Sequence, residues 1–232
     1  MPSPSSDLFL KVRGGLIVSC QAPADSPLHN PTVIAAIAEA AINQGAVGVR
    51  IDTPEHIQAV CRRVSAPIVG LWKQAVPDSE VYITPEFRHA QAIAEAGADL
   101  IAIDATLRPR PNGETLTELI TKIHTQLNKP VMADVDSLEA AIAAATAGAD
   151  WIATTLYGYT AQTKHFQPPG LDLLAEIISQ VKLPVICEGG VNDPSIARTA
   201  IKLGAFAVVV GTDITGIDLK TQAYCQALRD RI

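Results

Sequence analysis

A chain of 232 residues, 48% of them apolar, can bury a sizeable core, and by length alone it is one α/β barrel or two smaller domains. Its net charge of −6, with no basic tract, argues against nucleic acid as a partner. No apolar run reaches the ~18 residues of a membrane helix, and the opening MPSPSSDLF lacks the order of a signal peptide, so a cytoplasmic protein is expected.

Residues 1–6 read as a disordered lead-in. The first short apolar run, GGLIVSCQ from Gly14, predicts strand one and leaves Gln21 at its end. Asn30-Pro31 then opens a helix as N-cap and first turn, with apolar positions at Val33, Ile34, Ile37, Ala41 and Ile42. Gly45 closes it and begins GAVGVRID, which predicts strand two with Arg50 and Asp52. Thr53-Pro54 opens the next helix, and APIVGLWK from Ala66 predicts strand three, ending in Lys73. Thr84-Pro85 opens a helix that runs to Gly97, where GADLIAID predicts strand four and ends in Asp104. KPVMADVD from Lys129 predicts strand five with Asp134. Asp136 and Glu139 have the spacing of a capping box for the helix that ends at Gly148. GADWIATT predicts strand six, ending in Thr154 and Thr155. LPVICEGG from Leu183 predicts strand seven, with Glu188 and then Gly189 and Gly190. Asp193-Pro194 opens a last helix to Gly204, and GAFAVVVG predicts strand eight, followed by Gly211 and Thr212.

The Gly-Ala phrase thus occurs four times, 52, 51 and 56 residues apart, interleaved with a second, mostly proline-opened phrase. Eight strands alternating with helices, joined by right-handed crossovers, predict a parallel α/β fold. The eightfold count favours a closed (β/α)8 barrel in one domain over residues 1–232; an open doubly wound sheet is the alternative.

In such a barrel the chemistry sits at the C-terminal strand ends. There the aspartates 52, 104 and 134 read either as site groups or as caps, and Arg50 either as a site group or as the partner of Asp52 or Asp134. A guanidinium inside an apolar run is costly without a partner. Lys73 either snorkels to solvent or points into the mouth, where burial and a neighbour such as Arg50 favour a neutral, basic amine. Even spacing from Pro67, Pro130 and Pro184 puts Lys73, Asp134 and Glu188 on one side of their strands, the interior if the prolines face it. The loops with Gly189-Gly190 and Gly211-Thr212 suit a phosphate bound by backbone N–H groups. The five histidines fall outside the strand ends and read as surface residues, and the four cysteines show neither CxxC nor metal spacing. No metal site is therefore expected, and each cysteine reads as a small, reduced, buried residue.

The pieces GGLIVSCQA from Gly14, DATLRPRP from Asp104, TTLYGYT from Thr154 and ICEGGV from Ile186 resemble the N-acetylmannosamine-6-phosphate 2-epimerases of sialic-acid catabolism, and the likeness runs from Val12 to Thr215. The resemblance implies a cofactor-free epimerase acting at C2 of a 2-acetamido sugar phosphate. It implies Lys73 and Glu188 as acid/base pair, and substrate contacts from Gln21, Arg50 and Asp134, with Asp104, Thr155 and Tyr157 completing the set. It also implies phosphate binding by Gly189, Gly190, Gly211 and Thr212, and a homodimer. One stretch departs from the family: GSAITRP after strand eight is replaced by GTDITGI, with Asp213 for a small residue and Gly216 for arginine. An aspartate beside a phosphate is unfavourable unless it points away. The other readings are a different phosphate-binding barrel, such as a pentose-phosphate epimerase or an amino-sugar isomerase, and a barrel that binds a sugar phosphate without turnover.

Overall fold

The computed structural model describes residues 10–229, so the predicted disorder of residues 1–6 lies outside the described residues. Eight parallel strands close into a barrel in the order β1 to β8: β1 (Leu16–Cys20), β2 (Gly48–Asp52), β3 (Ile68–Leu71), β4 (Leu100–Asp104), β5 (Val131–Asp134), β6 (Trp151–Ala153), β7 (Val185–Cys187) and β8 (Ala207–Val210). Closure is sealed by β8 against β1, with Ile17 opposite Val209. The crossovers carry α1 (Pro31–Asn43), α2 (Pro54–Cys61), α3 (Phe87–Glu95), α4 (Leu116–Lys122), α5 (Leu138–Thr146), α6 (Leu171–Gln180) and α7 (Pro194–Lys202). A short α8 (Thr212–Thr215) and the long α9 (Ile217–Arg229) follow β8.

Alternation along the strands sorts the core into two layers. Val49, Ile51, Ile101, Ile103, Ala133 and Ile152 face outward and pack under the helices. Ile17, Val69, Leu71, Met132, Trp151 and Ile186 belong to a separate inner cluster that fills the barrel. Extending the inner series by two residues arrives at Lys73 from Leu71, at Asp134 from Met132 and at Glu188 from Ile186. The side of the strands predicted from the prolines is therefore the interior.

The four Gly-Ala phrases are one turn used four times. Gly45, Gly97, Gly148 and Gly204 have φ between +97° and +107°, a region open to glycine at little cost. In each, the alanine after the glycine donates its N–H to a carbonyl five residues back: Ala46 to Ala41, Ala98 to Ile93, Ala149 to Ala144 and Ala205 to Ala200. This is the Schellman closure, and it feeds β2, β4, β6 and β8.

Helix openings follow the sequence less evenly. Asn30 caps α1 by accepting from the backbone N–H groups of Thr32 and Val33, and Asp193 accepts from Ser195. The expected capping box at Asp136 is absent: Ser137 is the N-cap of α5, accepting from Ala140, because Asp136 is buried and bonded to Thr160 instead. A capping box forms at Thr115 and Glu118. Thr53 makes no capping bond. Thr84 does not open a helix either. It is buried, donates to the carbonyl of Ala102 at 2.7 Å and accepts from the N–H of Trp72, tying β3 to β4, while α3 starts at Phe87.

Two further expectations are corrected. His56 and His89 are buried, not on the surface. His56 lies on the inner stripe of α2 with Ile57 and Val60, edge-on to His29 at 4.6 Å, and His89 stands edge-on to Trp72 at 5.4 Å. Burial pushes the pKa of both below the usual histidine range. Cys20 and Cys187 are buried as expected, with thiol pKa pushed up to about 12 by burial, but Cys61 and Cys225 are exposed, at the end of α2 and on the uncovered α9.

Candidate active site

Arg50 is 1% exposed, and its charge requires partners at the same depth. Its two terminal nitrogens grip Asp134, Nη1 to Oδ1 at 3.0 Å and Nη2 to Oδ2 at 2.6 Å. Nη1 also donates to Oε2 of Glu188 at 2.9 Å. Of the two pairings open in the sequence, Asp134 is the observed one, and Glu188 joins it from the end of β7. Thr155 Oγ1 lies 2.7 Å from Asp134 Oδ1 and 3.1 Å from Glu188 Oε2. Thr154, one residue earlier, points the other way: its hydroxyl donates to the carbonyl of Glu188 and accepts from its N–H, which fixes the backbone at the end of β7.

Two carboxylates against one guanidinium leave an excess of negative charge in a buried place. Burial and the adjacent Asp134 push the Glu188 pKa up to about 7, against the opposing pull of Arg50, the hydrogen bond from Thr155 and the charge of Lys73. The contacts of the Glu188 carboxyl with Arg50 and Thr155 both use Oε2, which leaves Oε1 for a proton and for a ligand.

Lys73 stands at the rim. Its Nζ donates to Oε1 of Gln21 at 2.6 Å, and Gln21 is in turn oriented by donating to Ser19 at 2.8 Å. The backbone N–H of Lys73 is held by Asp52, Oδ1 at 3.0 Å. Burial raises the Asp52 pKa. The Lys73 side chain is exposed at the open mouth of the barrel, not buried.

Asp104 is fully buried and fully engaged, accepting from the N–H and hydroxyl of Thr106 and from Arg108 at 2.6 Å. Arg110 reaches back under the same loop to the carbonyls of Asp104, Thr84 and Pro85. Tyr157, expected among the substrate contacts, is stacked on Phe166 at 5.3 Å and lies against Gly170. Gly189 and Gly190 have φ of +96° and +67°, and a Cβ on Gly190 would meet Pro168 at 2.6 Å. Gly211 precedes α8 and would bring a Cβ to 3.3 Å from Ser19. Asp213 is neutralised by Lys220, Nζ to Oδ1 at 2.5 Å. Sequence reasoning missed Tyr82, a phenol whose pKa is raised by burial and then by Asp134 and Asp104. It lies in the irregular stretch between β3 and α3, where no periodicity marks it. Among the described residues no group of His, Cys, Asp and Glu is placed to hold a metal ion.

Fold and mouth together are those of a (β/α)8-barrel enzyme, with an amine at the rim and a carboxyl of raised pKa at the wall, groups suited to moving a proton. The chain belongs to the NanE family, described as "Putative N-acetylmannosamine-6-phosphate epimerase", whose profile matches residues 34–230. It is 59% identical over 223 residues to the curated protein "Putative N-acetylmannosamine-6-phosphate 2-epimerase" of Thermosynechococcus vestitus, covering 96% of this chain and 97% of that one. Its identity to the protein of the same description in Synechococcus elongatus is 60%, over 95% and 96% of the two chains. A solved structure of the N-acetylmannosamine-6-phosphate 2-epimerase from Clostridium perfringens superposes with a TM-score of 0.91 at 38% identity, covering 95% of this chain and 96% of that one.

Proposed function

We propose that the chain, as one barrel domain, interconverts N-acetylmannosamine 6-phosphate and N-acetylglucosamine 6-phosphate by moving a proton at C2, in the breakdown of amino sugars. The observation that carries this reading is the buried Glu188 carboxyl, able to hold a proton near neutral pH, in the same mouth as the Lys73 amine. The C2 hydrogen is acidic only when C1 is an aldehyde, so the ring opens first. One group then removes the proton, and the resulting enolate, with the acetamido nitrogen still on C2, is planar at C2. A second group returns a proton to the other face. Lys73 and Glu188 are the two groups, one basic while the other is acidic, with roles exchanged in the reverse direction. Arg50, Gln21, Asp134, Thr155 and Asp104 orient the substrate or the two acid/base groups, and the loops at Gly189-Gly190 and Gly211-Thr212 take the phosphate. One observation favours a second reading, with Lys73 serving both faces: Glu188 is tied to the wall by Arg50 and Thr155, whereas the Lys73 amine is exposed.

An epimerisation assay on N-acetylmannosamine 6-phosphate in deuterated water tests both. Product carrying deuterium at C2 is the expected result. No turnover, with ligand still bound, would instead support a binding barrel. Retention of the original hydrogen in a fraction of first-turnover product would favour the single-lysine reading.

The working form is a homodimer in the cytoplasm. Helix α9 has no buried residue, and it presents Ile217, Leu219, Tyr224 and Leu228 to solvent. Beside its start lies an apolar groove of about 290 Å³ on the barrel's outer side, lined by Leu16, Ala197, Ile201, Val208 and Ile214 among others. A second copy that lays its last helix here would cover both surfaces at once. Light scattering of the full chain gives the mass of a pair under this reading, and a chain ending at Gly216 gives that of a single copy. For the location, the support is that no described helix is long and apolar enough to cross a membrane and that no described cysteine is paired.

A further inference from the structure

Tyr159 is a ring at the mouth that the mechanism leaves unused. It is 55% exposed, although its neighbours Leu156 and Thr160 are 1% and 2% exposed. The exposure is not that of a loose loop. The N–H of Tyr159 donates to the carbonyl of Leu156 at 3.0 Å. Thr160 is fastened to Asp136 at 2.7 Å and to Thr163 at 2.8 Å, and Gly158 donates its N–H to Thr163. Tyr157, two residues before, is stacked on Phe166. The ring is thus held out over the strand-seven end by a fixed frame. A Cβ built on Gly189, the residue after Glu188, would lie 3.4 Å from Cε2 of Tyr159. The phenol also feels the Glu188 charge, which adds to burial in raising its pKa.

Glu188 acts at C2 in the reading above, and the substituent on C2 is the acetamido group. A rigid aromatic face beside Glu188 is where the methyl of that group finds apolar contact. We propose that Tyr159 selects the acyl group of the substrate, its ring forming the wall against which the acetamido methyl packs. Tyr159 is a positioning and specificity residue; it moves no proton. The inference rests on Glu188 working at C2, as stated under the proposed function.

The test compares N-acetyl- and N-formylmannosamine 6-phosphate, which differ by that methyl. A methyl-sized contact in an apolar site discriminates by about 10-fold or more in kcat/KM. The wild-type chain should prefer the acetyl substrate by about that factor. In Tyr159→Ala the preference should fall to about 2-fold or less, through a raised KM for the acetyl substrate, with kcat for either substrate within about 3-fold of wild type. Tyr159→Phe, which keeps the ring, should keep the preference. A wild-type preference below about 2-fold, an unchanged preference in Tyr159→Ala, an equal loss on both substrates, or loss of the preference in Tyr159→Phe would each overturn the inference. Glu188→Ala is assayed in parallel. Near-normal turnover there would overturn the inference at its premise, and it is distinguishable because it leaves the Tyr159 ratios untouched.

Discussion

Arg50 donates to Glu188 at 2.9 Å, yet the carboxyl it touches has a pKa near 7, above and not below the ordinary glutamate range. A cation usually holds a carboxylate ionised. Here Arg50 is already committed to Asp134 through both terminal nitrogens, and its single charge is shared. Burial and the Asp134 charge then outweigh what remains for Glu188. The relation gives a carboxyl that is fixed in place and still able to carry a proton.

Under the proposed mechanism, removal of either Lys73 or Glu188 should stop the reaction. Lys73→Ala and Glu188→Ala are each expected to lower turnover at least ~100-fold, the usual range for a general acid or base. Initial rates by proton NMR check this, with retained thermal stability of Lys73→Ala as control because that side chain is exposed. Near-normal turnover in either variant would reject the two-residue mechanism.

The Glu188 pKa also sets a pH dependence. The folded chain holds this proton more tightly than the unfolded chain, whose value is near 4.5. The stability linked to it is therefore fully present below about 4.5 and is lost as pH rises through about 7. Relative to wild type, Glu188→Gln should become more stable across that interval, and urea midpoints at a series of pH values would show it. In catalysis, steps that need the protonated carboxyl should slow above about pH 7. A stability difference that does not change with pH would contradict the assignment.

Arg50→Met should leave Asp134 and Glu188 buried with no cation between them. Breaking a buried pair in this way costs about 3–5 kcal/mol, and denaturant unfolding measures it. Replacing Asp134 by leucine in the same chain should recover part of the loss, since it removes one of the two uncompensated charges. A single substitution that unfolds like wild type would show that the carboxyls are already neutral.

Gly190 and Gly204 separate two glycine demands. Gly190 combines φ of +67° with a Cβ position 2.6 Å from Pro168, whereas Gly204 combines φ of +105° with no contact closer than 3.5 Å. Gly204→Ala should cost about 1 kcal/mol from backbone strain alone, and Gly190→Ala about 1–3 kcal/mol more from the clash. Paired melting curves test the order. Equal losses would mean that Pro168 yields freely.

The barrel was legible because its signals are periodic. The Gly-Ala turns mark the start of every even strand, and the even spacing from Pro67, Pro130 and Pro184 puts Lys73, Asp134 and Glu188 on one side of their strands, which the inner cluster identifies as the interior. The convergence of Arg50 on Asp134 could be named as one of two options, since a buried guanidinium requires a carboxylate. The additional grip on Glu188 could not, because it spans 138 residues and depends on barrel closure. An irregular stretch carried one error: Thr84 has the spelling of a helix opener but is needed between two strands. The exposure of Lys73 was not legible, because strand-end position fixes direction and says nothing of how open the mouth is.

The four Schellman turns all lie at the end of the barrel where strands begin, and the strands they feed lead at the other end to three kinds of residue, aspartate at 52 and 104, threonine at 154 and glycine at 211. Repetition is kept at the floor and abandoned at the rim. The molecule therefore separates two kinds of heredity, with a floor whose changes register as folding yield and a rim whose changes register as rate or choice of substrate. A lineage can rewrite the second while copying the first, and a chain built this way can acquire new chemistry without renegotiating its architecture.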